Sequence, residues 1–307
     1  MSLATLKNSV HDFRIHTDDY TGAESRIKAV HETYHDTTPS MGLLVGQSRT
    51  GKTRVCRSYI DKYPSYDAHD RTVKPVVMVE LEASEAVGGV LNCIYEAITG
   101  HKFRGKILNS DKSKKVCQAL KNAQTELLII DEAQHAITQT VNHGGKLGEF
   151  ANTIKRLLDG SGVPILLTGQ VVLTNIYTMK GIHHETSEQL EFRSVKPYRM
   201  HILSREDVKG VFLAFLKKFI ELNIDVSEIR NSLTADQLYI ASSGRIGMLS
   251  KLLQKAIIES NGIYKISNRS LQDAGELLLD EGKDAFHWNR AQVDLVLPDL
   301  IKTKEVA

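Results

Sequence analysis

"GLLVGQSRTGKTRV", residues 42–55, runs from four apolar-leaning residues through a glycine-bounded polar loop to a lysine and a threonine. Gly46, Gln47, Ser48, Arg49, Thr50, Gly51, Lys52 and Thr53 satisfy the spacing G-x-x-x-x-G-K-[ST]. An apolar run, Met41 to Val45, reads as a strand before the loop, and Lys52 to Tyr63 reads as a helix after it. That order has a physical purpose. The glycines let the chain curl so that backbone N–H groups and a helix N-terminus converge on one anion. Lys52 is then expected to reach the β- and γ-phosphates of a nucleotide, and the Thr53 hydroxyl to ligate Mg²⁺.

A nucleotide-hydrolysing site needs a second element, a carboxylate for the metal and a group that places water. "LLIIDEAQ", residues 127–134, offers both, because four apolar residues put Asp131 and Glu132 at the carboxyl end of a strand. Asp131 is the expected Mg²⁺ partner, usually through water. Glu132 is expected to orient and polarise the attacking water.

Further apolar runs follow the same grammar. "VKPVVMVEL" (73–81), "TELLIID" (125–131) and "VPILLTG" (163–169) show little alternation, as strands covered on both faces do, and "YRMHIL" (198–203) is a weaker fifth. Helical patterns lie at residues 23–34, 52–63, 85–98 and 147–158. Strands alternating with helices predict an α/β fold, a parallel sheet flanked by helices with its ligand loops at the carboxyl edge. Beyond Leu203 the periodicity is helical only, so a small all-helical domain is expected to follow. Ser204 reads as its first N-cap, with Glu206 and Asp207 in the first turn. The boundaries drawn are an N-terminal helical segment (1–38), the α/β domain (39–203), the helical domain (204–265) and a C-terminal helix and tail (266–307).

Composition narrows the remaining classes. The chain has 307 residues with a formal net charge of +2, so overall charge implies no general attraction to polyanions. Cys56, Cys93 and Cys117 lack paired spacing, which argues against a disulfide framework and a zinc site. "MSLATLKNSVHDF" has no apolar signal core and no run is long enough for a membrane span, so a cytoplasmic protein is expected. The densest basic stretch is "HKFRGKILNSDKSKK", residues 101–115, with six Lys or Arg against one Asp. It reads either as a solvated loop and helix face or as a polyanion contact.

The phosphate loop, "LLIIDEAQ", "GVPILLTGQ" and the later "SSGRIGMLSKLL" together resemble an AAA+ ATPase. Within that class, the wording "DEAQH", the strand ending in "LLTG" and the "GRIG" motif resemble the TniB/TnsC family of transposition regulators, over roughly residues 41–262. The resemblance implies ATP as the nucleotide, Mg²⁺ as its cofactor, and a lid for the helical domain. It implies that Thr168 is a polar sensor at the end of the fourth strand and that Arg245 is a second sensor on the lid. It also implies an arginine finger supplied across a subunit interface. "LEFRSVKPYRM" inverts the family's usual arginine–phenylalanine order and leaves two candidates, Arg193 and Arg199.

A finger in trans implies head-to-tail association with further copies, as rings or helical filaments. The resemblance further implies binding to double-stranded DNA. Lys102, Arg104, Lys106, Lys112, Lys114 and Lys115 are the expected contacts, and the binding should be strongly salt-dependent. A transposase and a TniQ-like target selector are the implied protein partners, docking on the chain's ends. "LVLPDLIKTKEVA" reads as a short hook or a frayed terminus.

Some residues stand outside this scheme. His183 and His184 have no ligand spacing around them and read as an exposed pair. Trp288 reads as a packing anchor for the C-terminal segment. Three alternatives stay open. One is a helicase-loader or origin-type AAA+ protein, although no helix-turn-helix is visible that would read a defined duplex. The others are a P-loop kinase acting on a small molecule and a signalling or defence NTPase.

Overall fold

The computed structural model describes residues 2–82, 86–137, 145–177, 184–260 and 262–305. The chain divides into two compact units: Asp18–Met200, and Met1–Thr17 together with His201–Ala307.

The first unit is built on a parallel sheet of five strands, β1 (Met41–Gly46), β2 (Val76–Glu80), β3 (Leu127–Asp131), β4 (Ile165–Gly169) and β5 (Ser194–Met200). Their spatial order is β2-β3-β4-β1-β5. Alternate side chains of each strand feed opposite faces, the period-2 rule of a pleated strand. Leu43, Val77, Leu128, Ile130 and Leu167 pack on one side with α4 (Val87–Thr99), α5 (Asn109–Asn122) and α6 (Gly145–Ser161). Leu44, Val76, Leu127, Ile129 and Leu166 pack on the other with α2 (Asp18–Glu32) and α3 (Lys52–Ile60). Both faces being covered explains why these strands read as unbroken apolar runs. This is the α/β domain, a parallel sheet flanked by helices, that the sequence predicts.

Departures from the expected boundaries have local causes. Strand β2 starts at Val76, after Pro75, and Thr72–Val73 instead pairs with Tyr66–Asp67 in a separate two-stranded hairpin. Strand β5 starts at Ser194 and not 198, and its pairing with β1 slips between Gly42 and Leu44. Pro197 falls in that slip, where an edge strand tolerates a residue without an N–H. Helix α2 begins at Asp18, five residues earlier than the periodicity suggests, with Asp18 and Asp19 in its first turn. It runs through Gly22, where an added Cβ would lie 2.2 Å from Tyr198 Oη, so any larger residue there would require the Tyr198 side chain to shift. Helix α5 is an addition to the predicted set. Its apolar spacing is hidden by lysines, yet Ser113, Val116, Cys117 and Leu120 form a buried stripe.

The second unit is helical, formed by α1 (Leu3–His11), α8 (Arg205–Glu221), α9 (Ser232–Ser242), α10 (Ile246–Lys255), α11 (Asn268–Leu278) and α12 (Arg290–Glu305). Helix α7 (His184–Phe192) belongs to the first unit. Leu6 and Val10 of α1 lie in the same core as Phe215, Phe219, Leu252 and Phe286. Three short strands join the helices as a small sheet: β6 (Ile224–Asp225), β7 (Ile258–Ser260) and β8 (Ile263–Lys265), in the order β6-β8-β7. Strands of two or three residues are too short to carry a visible period, so a purely helical reading overlooks them. Trp288 packs against this core as expected, and α12 continues through Pro298. Among the described residues no helix is long and apolar enough to cross a membrane.

Ser204 caps α8 as the sequence predicts, in a reciprocal box in which its side chain accepts from Asp207 N and Asp207 accepts from Ser204 N. Ser204→Ala is expected to cost about 1 kcal/mol. Denaturant unfolding read through Trp288 checks this, and an unchanged midpoint would show the cap to be idle.

Candidate active site

Strand β1 is buried along its whole length and delivers the loop at Gly46. A Cβ at Gly46 would sit 2.6 Å from the Met200 carbonyl oxygen and 3.2 Å from Thr50 Oγ1, so only glycine fits the turn. Arg49 (φ 66°) and Gly51 (φ 105°) both take left-handed backbone, which curls the loop back on itself. Thr50 Oγ donates to Gln47 O at 2.9 Å and braces that curl. Gly51 is the N-cap of α3 and supplies no side-chain cap, so the helix's first-turn amides lack a side-chain acceptor. Ser48 and Arg49 are exposed at the loop's crest.

Lys52, on the first turn of α3, is 5% exposed and donates to Gly46 O at 3.0 Å and Gln47 O at 2.8 Å. Burial lowers its pKa, while the nearby carboxylates of Glu132 and Asp131 push it back up. Thr53 Oγ1 donates to Asp131 Oδ2 at 2.6 Å, which joins the phosphate loop to the end of β3.

Asp131 is fully buried. Burial raises its pKa, and the Thr53 hydroxyl together with the Glu132 backbone N–H, at 2.9 Å from Oδ1, partly restrains the rise. Thr168 closes β4, also fully buried. Its hydroxyl exerts a weak downward pull on the Asp131 pKa but makes no direct hydrogen bond of ordinary geometry among the described residues. Glu132 takes left-handed backbone (φ 53°) as the chain leaves the strand. Its carboxylate accepts from Gln134 Nε2, and Gln134 Oε1 accepts from Gln170 N at 3.1 Å.

This donor set suits a Mg²⁺–nucleotide. The Thr53 hydroxyl and Asp131 carboxylate are hard oxygen ligands held side by side, and Gly46 keeps the loop clear of side chain at its tightest point. The unpartnered Thr168 hydroxyl adds a buried polar group beside them. Among the described residues no three His, Cys, Asp or Glu converge as a self-contained metal cage. Mg²⁺ needs no such cage, since phosphate oxygens and water usually complete its shell.

The other expected residues are distributed as follows. Arg193 follows α7, is one-third exposed, and forms an ion pair with Asp159 of α6. Arg199 is exposed on β5, in register with Val45 beside the phosphate loop. Arg245 belongs to the other unit, as the N-cap residue of α10 after a turn through Ser243 and Gly244.

Lys102, Arg104, Lys106, Lys114 and Lys115 are exposed and Lys112 half-buried. Lys102 pairs with Glu96 at 3.7 Å and Lys114 with Asp111 at 3.6 Å. Lys112 lies 5.7 Å from the centre of the Phe103 ring, which stacks on Tyr95. His183 lies outside the described residues, and His184 begins α7. The three cysteines are free thiols, and Cys56 and Cys117 are buried.

Three contributors escape the motif reading. Gln134 sits inside the quoted "DEAQ" and Gly169 inside the quoted "LLTG", but neither is assigned a role by its motif, and Asp159 lies in no quoted motif. The one signal for Gln134 is its offset of two residues from Glu132 just after a strand, where a side chain can turn back onto its neighbour.

Comparison with known proteins places this arrangement. The family described as Bacterial TniB protein matches residues 7–187. No curated protein matches the sequence. Cdc6p from Pyrobaculum aerophilum is similar in structure, with a TM-score of 0.60 at 11% identity, covering 87% of this chain and 69% of that one. The ORC2 protein of Aeropyrum pernix, solved as ADPNP–ADP complexes, gives 0.56 at 15% identity over 86% and 69% of the two chains. The ORC1 protein of Aeropyrum pernix, solved in complex with DNA, gives 0.51 at 14% over 95% and 67%. At these identities the likeness is one of fold.

Proposed function

The chain belongs to the bacterial TniB family, and from that premise we propose that it is an ATP-dependent switch in DNA transposition. In this reading it assembles on double-stranded target DNA with ATP bound, presents that DNA to a transposase, and disassembles after hydrolysis. The observation that carries the nucleotide part is the 2.6 Å hydrogen bond between Thr53 and Asp131, which unites the phosphate loop with an acidic strand end.

The residues divide the work. The loop from Gly46 through Gln47, Ser48, Arg49, Thr50 and Gly51 would cradle the phosphates, with Lys52 drawn to the β- and γ-phosphates. Thr53 and Asp131 would hold Mg²⁺, which when bound neutralises charge developing on the phosphate oxygens. Glu132 would hold a water and take its proton as the water oxygen bonds to the terminal phosphorus and the bond to ADP breaks. The products are ADP and inorganic phosphate. Thr168 and Arg245 would sense the nucleotide's state, and Arg193 would serve a neighbouring subunit, with Arg199 as its competitor.

The exposed part of the 102–115 segment would follow the DNA backbone, each subunit adding a few phosphate contacts that repetition multiplies. The phosphate-loop role is given to the unit Asp18–Met200 and the lid role to the unit of Met1–Thr17 with His201–Ala307, rather than to residues 39–203 and 204–265, and the chain's two ends are taken as segments for the transposase and a TniQ-like selector.

Electron microscopy with duplex DNA tests this, comparing ATP, a slowly hydrolysed analogue, ADP and no nucleotide, with Lys52→Ala as control. Filaments or rings on DNA with the triphosphate forms alone are the expected result. Unassembled protein in every condition, with unchanged DNA affinity, would overturn the switch and favour a partner-dependent loader or a kinase.

A further inference from the structure

Gln134 is buried to 2% exposure, and both ends of its amide are used. Its Nε2 donates to the Glu132 carboxylate, and its Oε1 accepts from the Gln170 backbone N–H at 3.1 Å. Burying a primary amide is costly unless it is hydrogen-bonded, and here one bond goes back to Glu132 and the other goes across to the segment leaving β4. Gln170 follows Thr168 and Gly169 directly, so the amide spans the gap between the polar end of β4 and the acidic end of β3.

Two further details show that the backbone is shaped around this bridge. A Cβ on Gly169 would fall 2.0 Å from Gln134 Oε1, so that position must be glycine for the amide to stay where it is. Glu132 sits in left-handed backbone, a conformation that is unfavourable for a residue with a side chain and persists only where its surroundings hold it. With its backbone turned this way, the Glu132 carboxylate is directed by what hydrogen-bonds to it, and Gln134 does so.

We propose that Gln134 is a positioning residue: it sets the Glu132 carboxylate for water activation and ties that setting to the backbone at the end of β4. The proposal rests on the reading of Glu132 as the water-orienting base. A shift of the Thr168–Gly169–Gln170 segment would move the Gln170 N–H and, through the rigid amide, swing the carboxylate. Catalytic geometry is steep enough that such a displacement matters. Gln134 touches neither nucleotide nor water in this scheme and acts only through Glu132.

The test uses Gln134→Met, which keeps side-chain length and removes both hydrogen bonds, and Gly169→Ala, which crowds the amide and, at φ 159°, also strains the backbone at the end of β4. Each is measured in the full chain for kcat, nucleotide affinity by titration, and amide hydrogen exchange at Gln170. For Gln134→Met a fall in kcat of about tenfold is expected, with affinity within about twofold and faster exchange at Gln170, whose acceptor is gone. Gly169→Ala is expected to lower kcat in the same way, and the double variant to be no worse than about twofold below the weaker single, since both break one link.

Unchanged kcat in Gln134→Met, or fully multiplicative effects in the double variant, would overturn the proposal. Loss of thermal stability without a change in kcat would also overturn it, by reducing Gln134 to packing. Glu132→Gln, run alongside, separates the two layers. If it still hydrolyses ATP at the parental rate, the base reading falls and this proposal falls with it. If it is inactive while Gln134→Met is not, only this proposal falls.

Discussion

Glu132→Gln is expected to slow ATP hydrolysis by roughly 10²–10⁴-fold, the usual contribution of a general base, while nucleotide affinity stays within about twofold. The substitution is nearly isosteric and keeps the side chain within reach of Gln134, but an amide cannot take the water's proton. Lys52→Ala is the informative contrast. Lys52 is buried between the loop carbonyls and the two carboxylates, so its loss removes the cation that the phosphates would meet and leaves Asp131 and Glu132 uncompensated. Nucleotide binding itself is expected to fail in Lys52→Ala. Calorimetric titration and phosphate release on the two variants check both outcomes. Hydrolysis surviving in Glu132→Gln would move the water-placing role elsewhere. Binding surviving intact in Lys52→Ala would remove the phosphate-loop reading altogether.

The second large effect is on stability, in the helical unit. Asp236 on α9 is fully buried and accepts both arms of Arg205, Nε at 2.7 Å and Nη2 at 2.8 Å, and Arg290 Nη1 at 2.6 Å. One carboxylate therefore fastens the start of α8 and the start of α12 to α9. Burial alone would raise its pKa, but the hydrogen bonds from the two guanidinium groups outweigh burial and hold it below the ordinary carboxylate value.

Asp236→Ala is expected to cost about 3 kcal/mol. That is the low end for breaking a buried pair, because Arg205 and Arg290 are 29% and 46% exposed and regain water. Urea unfolding followed by Trp288 fluorescence reads this unit directly, since Trp288 is the sole tryptophan and its carbonyl accepts from Gln237 of the same helix. An unchanged midpoint would show the network to be energetically neutral.

The pH dependence has a definite sign. Because the folded pKa lies below the unfolded value of about 3.9, the contribution is complete above that value and is lost as pH falls through the lower folded pKa. Asp236→Asn should therefore flatten part of the acid limb of the stability profile and leave the neutral and alkaline limbs parallel to those of the parent.

Much of the first unit is legible in the sequence alone. Residues 42–55 announce strand, loop and helix because each step has its own chemistry: apolar burial, glycine conformational freedom and a helix start. Asp131 and Glu132 could be placed because four apolar residues ahead of them mark a buried strand that ends at Asp131. The Ser204 N-cap of α8 was legible from its own first turn, although the reciprocal bond to Asp207 was not read from it. The membership of α1 was not legible, because Leu6 and Val10 meet partners some two hundred residues away in sequence. Pro197 disguised the start of β5, and lysines disguised α5.

What the sequence determined by itself, then, is everything that depends on near neighbours: the phosphate loop, the acidic strand end, the alternation of strands and helices, and the helix caps. The two motifs already placed Thr53 and Asp131 on one metal, but tertiary structure alone decided which other distant groups meet. Gln170 finds Gln134 across 36 residues, and Arg290 finds Asp236 across 54. Such pairs are set by strand order in the sheet and by helix packing. No periodicity encodes them, because a hydrogen bond acts over about 3 Å in space and is blind to distance along the chain.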